Sequence, residues 1–110
     1  MTTADEKRVY AAVAERAQNQ CEACGYACLP EHGHRDHFFG RRQGTTLQAV
    51  WLLCPTCDFA KTANTPSAAR WLRVFCDHAT RYGYAPEWER AQTKLAVLAV
   101  KFPPKEQSHV

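Results

Sequence analysis

Two short stretches, Cys21-Glu22-Ala23-Cys24 and Cys54-Pro55-Thr56-Cys57, decide the fold of this 110-residue chain. Each Cys-x-x-Cys turn presents two thiolates to one ion, and two such turns complete the tetrahedron that zinc prefers. Both pairs have the same short spacing and stand in turn-forming contexts, so we set aside the reading that these cysteines merely pack as small apolar residues. The pattern predicts one structural zinc ion held by Cys21, Cys24, Cys54 and Cys57. Because such a site keeps no open coordination position, catalysis would need other residues.

The two remaining cysteines have different contexts. Cys28 follows the first pair closely and is an alternative ligand. Cys76 stands among apolar positions of a predicted helix, where a buried free thiol is the better interpretation. We assign neither of them to the metal.

Composition and charge favour a folded cytoplasmic protein. The chain has 45% hydrophobic residues and a net charge of +3, which is too mild to identify a polyanionic partner by itself. The first residues are charged, and no segment has the length and apolarity needed to cross a membrane. In a reducing compartment cysteines favour metal binding over disulfides. The sequence sets no oligomeric state.

Apolar spacing and turn residues predict the secondary structure around the cysteines. A helix is expected over residues 1–20, with its apolar positions from 10 to 17, and turns with short strands are expected from 21 to 44. Residues 46–53 are rich in Leu, Val and Trp and predict a strand, followed by a short helix over 58–64. Two amphipathic helices follow, one ending at Gly83 and one ending before Pro103-Pro104.

The segment between the cysteine pairs concentrates residues with chemical potential. Residues 31–37 read Glu-His-Gly-His-Arg-Asp-His, and Gly40-Arg41-Arg42 follows. Imidazole and carboxylate groups together can hold a divalent cation, a histidine can take a proton from water, and guanidinium groups suit phosphate oxygens. The set is consistent with phosphodiester hydrolysis.

At this point the sequence resembles the zinc-knuckle form of the HNH endonuclease family, over roughly residues 21–64. The resemblance rests on an ordered series of motifs. The series is Cys21-x-x-Cys24, Asp36-His37 with a basic turn through Gly44, Leu53-Cys54-Pro55-Thr56-Cys57, and Lys61-Thr62.

The resemblance implies a ββα-metal finger that hydrolyses DNA. It assigns Asp36 and Asp58 to a catalytic Mg²⁺ or another divalent cation such as Mn²⁺ or Ni²⁺, and His37 to the role of general base. His34 is a reserve metal ligand, since it shares a strand face with Asp36 if that stretch is extended. The chain departs from the family at two points: Asp58 replaces the usual histidine, and the usual asparagine aligns near Gln48 or Ala49.

Four basic residues surround the proposed site and are expected to contact phosphate: Arg35, Arg41, Arg42 and Lys61. A solvated basic face is the competing interpretation. An ordinary structural role for His37 likewise stays open. The alternative function is a non-catalytic, zinc-stapled module that binds nucleic acid or another protein and derives from an HNH finger.

The expected fold class is α+β, a small zinc-stapled ββα-metal (HNH-like) finger packed with an N-terminal helix and a C-terminal helical hairpin. We expect one domain over 1–110. Its parts are the N-terminal helix (1–20), the finger (21–64), the hairpin (65–104) and a tail (105–110).

Overall fold

The computed structural model describes residues 3–63 and 68–101. The chain divides into two compact units, residues 1–65 and 66–110. The first contains helix α1 (Ala4–Ala17), strands β1 (His34–His37) and β2 (Val50–Leu53), and helix α2 (Pro55–Ala63), while the second contains helices α3 (Ala68–Tyr82) and α4 (Ala85–Lys101). The predicted α+β class is confirmed. The grouping of all 110 residues as one domain stays a prediction, and the predicted 105–110 tail lies outside the described residues.

Helix α1 begins at a capping box and ends three residues earlier than its predicted boundary. The Thr3 hydroxyl accepts the backbone N–H of Glu6 at 3.1 Å, and the Glu6 carboxylate accepts the N–H of Thr3 at 3.1 Å. The helix stops because Gln18 and Asn19 both adopt left-handed backbone angles, with φ of 51° and 60°.

Strands β1 and β2 form an antiparallel pair in which Asp36 lies opposite Trp51 and His37 opposite Val50. Because side chains alternate along a strand, the pair has two distinct faces. Val50 and Leu52 pack with Val13 and Ala17 of α1. Helix α2 packs against both strands, and its Lys61 meets Asp36 on the other face. The hairpin thus lies between α1 and α2.

The structure shifts two predicted boundaries in the finger. The strand expected over 46–53 begins only at Val50, because the backbone N–H groups of Ala49 and Val50 turn back to the carbonyl of Thr46 at 3.2 and 3.1 Å. Helix α2 begins at Pro55, three residues before the predicted start, so the second cysteine pair lies at its N-terminus. The predicted helix end at Asn64 lies outside the described residues.

The second unit consists of α3 and α4 packed against each other. Gly83, with φ of 74°, ends α3 as the sequence predicts. The N–H groups of Gly83 and Tyr84 donate to the carbonyls of Thr80 and Ala79. The sequence also predicts a helix start at Thr65-Pro66-Ser67 and an apolar helix stripe that reaches Phe102. These residues and Pro103-Pro104 lie outside the described part of the chain. Within the described part of the chain, no helix has the length and apolar character required to cross a bilayer.

Candidate metal centre

The structure brings the four predicted zinc cysteines together. One sulfur atom from each of Cys21, Cys24, Cys54 and Cys57 lies within 4.8 Å of all the others. The Sγ atoms of Cys24 and Cys54 are 3.9 Å apart. Zinc–sulfur bonds of about 2.3 Å in a tetrahedron place the sulfurs roughly 3.8 Å apart. The cluster can therefore hold a metal ion such as zinc, and within residues 3–63 and 68–101 it is the only such group of three or more His, Cys, Asp or Glu side chains.

Both cysteine pairs use the same local geometry. The backbone N–H of Cys24 donates to the Cys21 sulfur at 3.5 Å, and the N–H of Cys57 donates to the Cys54 sulfur at 3.5 Å. In the first pair Gly25, with φ of 78°, turns the chain directly after Cys24. These donors stabilise charge on sulfur and orient each pair toward a common centre.

Burial in this cluster opposes ionisation of two of the cysteines. Burial is the main cause that raises the pKa of Cys57 far above its ordinary value, and the charge of Cys21 raises it further. Burial likewise raises the pKa of Cys24. Since metal ligands must be thiolates, a divalent cation bound here would supply the positive charge that stabilises them.

The cysteine cluster is open to solvent on one side. A groove of about 810 Å³ runs past Cys24, Cys54 and Cys57, and its other wall includes the exposed side chains of Tyr26 and Leu29. An ion can enter and leave by this route. Of the two unassigned cysteines, Cys28 is buried and also lines the groove, whereas Cys76 is buried in α3.

Asp36, the predicted catalytic-metal ligand, lies on the face of the hairpin that α2 covers. Its Oδ2 atom accepts the indole N–H of Trp51 at 2.8 Å, and the Lys61 ammonium lies 3.2 Å from the same atom. Lys61 also donates to Oδ1 at 3.4 Å and lies 5.3 Å from the centre of the Phe38 ring. Both carboxylate oxygens of Asp36 therefore have donors within the protein.

Two other predicted site residues meet on the same face. His34 lies two positions before Asp36 on β1, and its Nδ1 atom is 3.8 Å from Oδ2 of Asp58 on α2. The side chains of His34 and Asp58 are 56% and 30% exposed. We name His34, Asp36, Asp58 and Lys61 the α2 face. The expectation that His34 and Asp36 share a strand side is met.

His37 points to the opposite side of the hairpin. Its Nε2 atom is 2.9 Å from the Thr45 hydroxyl, which donates to Glu6 of α1 at 3.3 Å. Because the single Thr45 proton goes to Glu6, the His37 nitrogen is the donor in this pair. The ring packs edge-on to Tyr10 and is 9% exposed. Burial, and then the charge of Arg41, lower the pKa of His37.

The four predicted phosphate-binding residues divide into two groups. Arg35 donates to the Pro30 carbonyl at 2.8 Å, and Lys61 is engaged by Asp36 as described above. Arg41 and Arg42 are exposed on the turn after β1, with Arg41 lying 3.6 Å from Glu6. Arg41 and Arg42 are thus the more accessible cations.

The structure identifies contacts that the sequence analysis missed. The Thr45 hydroxyl contacts the His37 ring, Glu6 accepts from that hydroxyl, and the Trp51 indole donates to Asp36. Among these contacts, only the Thr3-x-x-Glu6 capping-box pattern at the start of α1 could have been recognised in the sequence. In the comparisons with protein families, curated proteins and solved structures, nothing matches this chain.

Proposed function

We propose that residues 21–63 form an HNH-type finger that hydrolyses DNA phosphodiester bonds with a divalent cation, on a scaffold fixed by zinc. The observation that carries this proposal is the α2 face, where two carboxylates and an exposed imidazole lie beside the second cysteine pair. Carboxylate oxygens are the ligands that Mg²⁺ and Mn²⁺ prefer. The cysteine-bound ion has a structural role, because four thiolates fill its coordination.

Asp36 and Asp58 would hold the catalytic cation. With His34 they do not form a preassembled group, since within residues 3–63 and 68–101 only the four cysteines bring three or more such ligand atoms within 4.8 Å of one another. Bound there, that ion would neutralise charge on the scissile phosphate and on the leaving oxygen. In the structure, the Lys61 ammonium balances the charge of Asp36, with its Nζ atom 3.2 Å from Oδ2. A cation at Asp36 would release the Lys61 ammonium to contact phosphate, together with Arg41 and Arg42.

His34 is the better placed of the two histidines to accept a proton from water. It shares a face with Asp36 and is 56% exposed, whereas His37 is 9% exposed and lies across the hairpin. The Asp58 carboxylate, 3.8 Å from His34 Nδ1, would orient the ring for this role. The role that the family resemblance gives to His37 stays a prediction.

A plasmid-nicking assay tests the hydrolytic proposal. Zinc-loaded protein with added Mg²⁺ or Mn²⁺ should nick supercoiled DNA, and Asp36→Asn or His34→Ala should lower the rate by about 10²-fold or more. His32→Ala is the matched control, because His32 is an exposed histidine of the same loop. The nicking rate of a His37→Asn variant tests the role of His37 separately. Equal nicking by wild type and Asp36→Asn would exclude this site as the source of activity.

The second candidate is a nucleic-acid-binding finger without catalysis. It is favoured by the Asp36 carboxylate, whose two oxygens already have donors from Trp51 and Lys61. This candidate predicts no nicking, but a DNA mobility shift that weakens steeply with salt and weakens further in Arg42→Gln. Absence of both nicking and a shift would instead favour the protein-interaction module.

A further inference from the structure

A buried ion pair connects α1 to the first cysteine pair. Glu22 lies between Cys21 and Cys24. Its two carboxylate oxygens accept hydrogen bonds from the Nε–H and Nη2–H groups of Arg16, each with a donor–acceptor distance of 2.7 Å. The side chains are 8% exposed for Arg16 and 2% for Glu22. Two parallel bonds of this kind fix both direction and distance.

The same pair also connects the first cysteine pair to β2, the strand that leads to Cys54. The N–H of Glu22 donates to the Leu52 carbonyl at 2.8 Å, and the N–H of Leu52 donates to the Glu22 carboxylate at 3.0 Å. Arg16 adds bonds to the carbonyls of Leu47 at 2.6 Å and Val50 at 2.8 Å. The separation of the two cysteine pairs is therefore set through Glu22 and Arg16.

Charge gives the pair a second effect on the metal. Four thiolates around a divalent ion carry a net charge of about −2, and the carboxylate of Glu22 adds a negative charge one residue from Cys21. The guanidinium of Arg16 is the positive charge bonded to that carboxylate. Removing Arg16 alone would take a positive charge away from a buried carboxylate beside an anionic metal site.

We infer that Arg16 and Glu22 are positioning residues for the zinc ion, so that docking of α1 sets the zinc affinity of the cysteine cluster. Outer residues that orient metal ligands commonly change metal affinity by about 10- to 100-fold when they are replaced. The inference concerns zinc retention and is independent of the proposed hydrolysis.

Competition with a chelator of known zinc affinity tests this inference in the full chain at pH 7. We expect Arg16→Met to weaken zinc binding by about 10- to 100-fold. Glu22→Gln should also weaken zinc binding, because the amide keeps one oxygen acceptor but places its NH2 group against an Arg16 donor. Arg8→Met is the matched control, since the ion pair of Arg8 with Asp5 is exposed on the same helix.

The order of the variants separates charge from simple destabilisation. Circular dichroism at saturating zinc identifies variants that fold, and Arg16→Lys compared with Arg8→Lys replaces the methionine pair if Arg16→Met does not fold. Lysine keeps the charge and loses the two parallel bonds, so an intermediate affinity is expected. Zinc affinity of the Arg16 variants equal to that of the matched Arg8 variants would overturn the inference. Zinc affinity of Glu22→Gln equal to that of the Arg8 variants would contradict the role assigned to Glu22.

Discussion

Asp36 and His37 are neighbours in sequence, yet their side chains lie on opposite faces of the hairpin. Asp36 contacts Trp51 and Lys61 on the side of α2, while His37 contacts Thr45 and Tyr10 on the side of α1. One strand thus supplies both a partly exposed polar face and a buried contact with the N-terminal helix. Substitutions at the two residues should have different consequences.

Trp51→Phe should destabilise the first unit. The indole N–H of the fully buried Trp51 donates to the Asp36 carboxylate, and losing a buried hydrogen bond to a charged group costs about 1.5–3 kcal/mol. Urea unfolding at saturating zinc measures the effect. Trp88→Phe is the control because Trp88 is 40% exposed. Equal losses in the two variants would show that the Asp36 contact contributes little.

Cys54→Ser should abolish zinc binding and the cooperative melting of the finger. Three thiolates and a hydroxyl form a much weaker site, and binding of structural zinc contributes on the order of 10 kcal/mol to folding in small zinc domains. Zinc content and thermal melting are the measurements. Cys76→Ser should keep one zinc per chain, because Cys76 lies in α3. A Cys54→Ser protein with full zinc content would contradict the four-cysteine site.

The free energy of unfolding should depend on pH through the titration of the buried His37, whose pKa is lowered. Its pKa is lowered in the folded chain, so between about pH 6.5 and that lower pKa the unfolded chain binds more protons. Stability should therefore fall as the pH drops through this window and should gain nothing above it. The difference in melting temperature between wild type and His37→Asn isolates this contribution from zinc release.

Arg41→Gln should raise the pKa of His37 toward its ordinary value, since the charge of Arg41 is the second cause of the shift. NMR titration of the His37 ring measures the change, with Arg42→Gln as the neighbouring control. An unchanged titration midpoint in Arg41→Gln would show that Arg41 does not contribute to the lowered pKa of His37.

Thr3→Ala should destabilise α1 by about 1 kcal/mol, the usual loss for a removed N-cap side chain. Thr3 and Glu6 satisfy each other's backbone N–H groups. Thr3→Ser keeps the hydroxyl and should behave nearly like wild type in thermal melting. Similar melting of both variants would show that the cap adds no stability.

Local patterns in the sequence were sufficient to predict that the helices exist, but not all of their ends, and to predict the cysteine cluster. The Cys-x-x-Cys spacing and the stop at Gly83 are effects of a few adjacent residues, and the structure agrees with both. The start of β2 was misplaced because the backbone at Thr46 prefers a turn over extension. That preference is not visible in a run of apolar residues.

The sequence alone thus determined that one four-cysteine cluster is present and that helices precede and follow it along the chain. Tertiary structure decided which side chains meet: Arg16 with Glu22, Thr45 with His37, and His34 with Asp58. The physical reason is that the two faces of a strand become distinct only when different helices cover them. The covering of the hairpin by α1 and α2 therefore buries His37 and leaves His34 exposed.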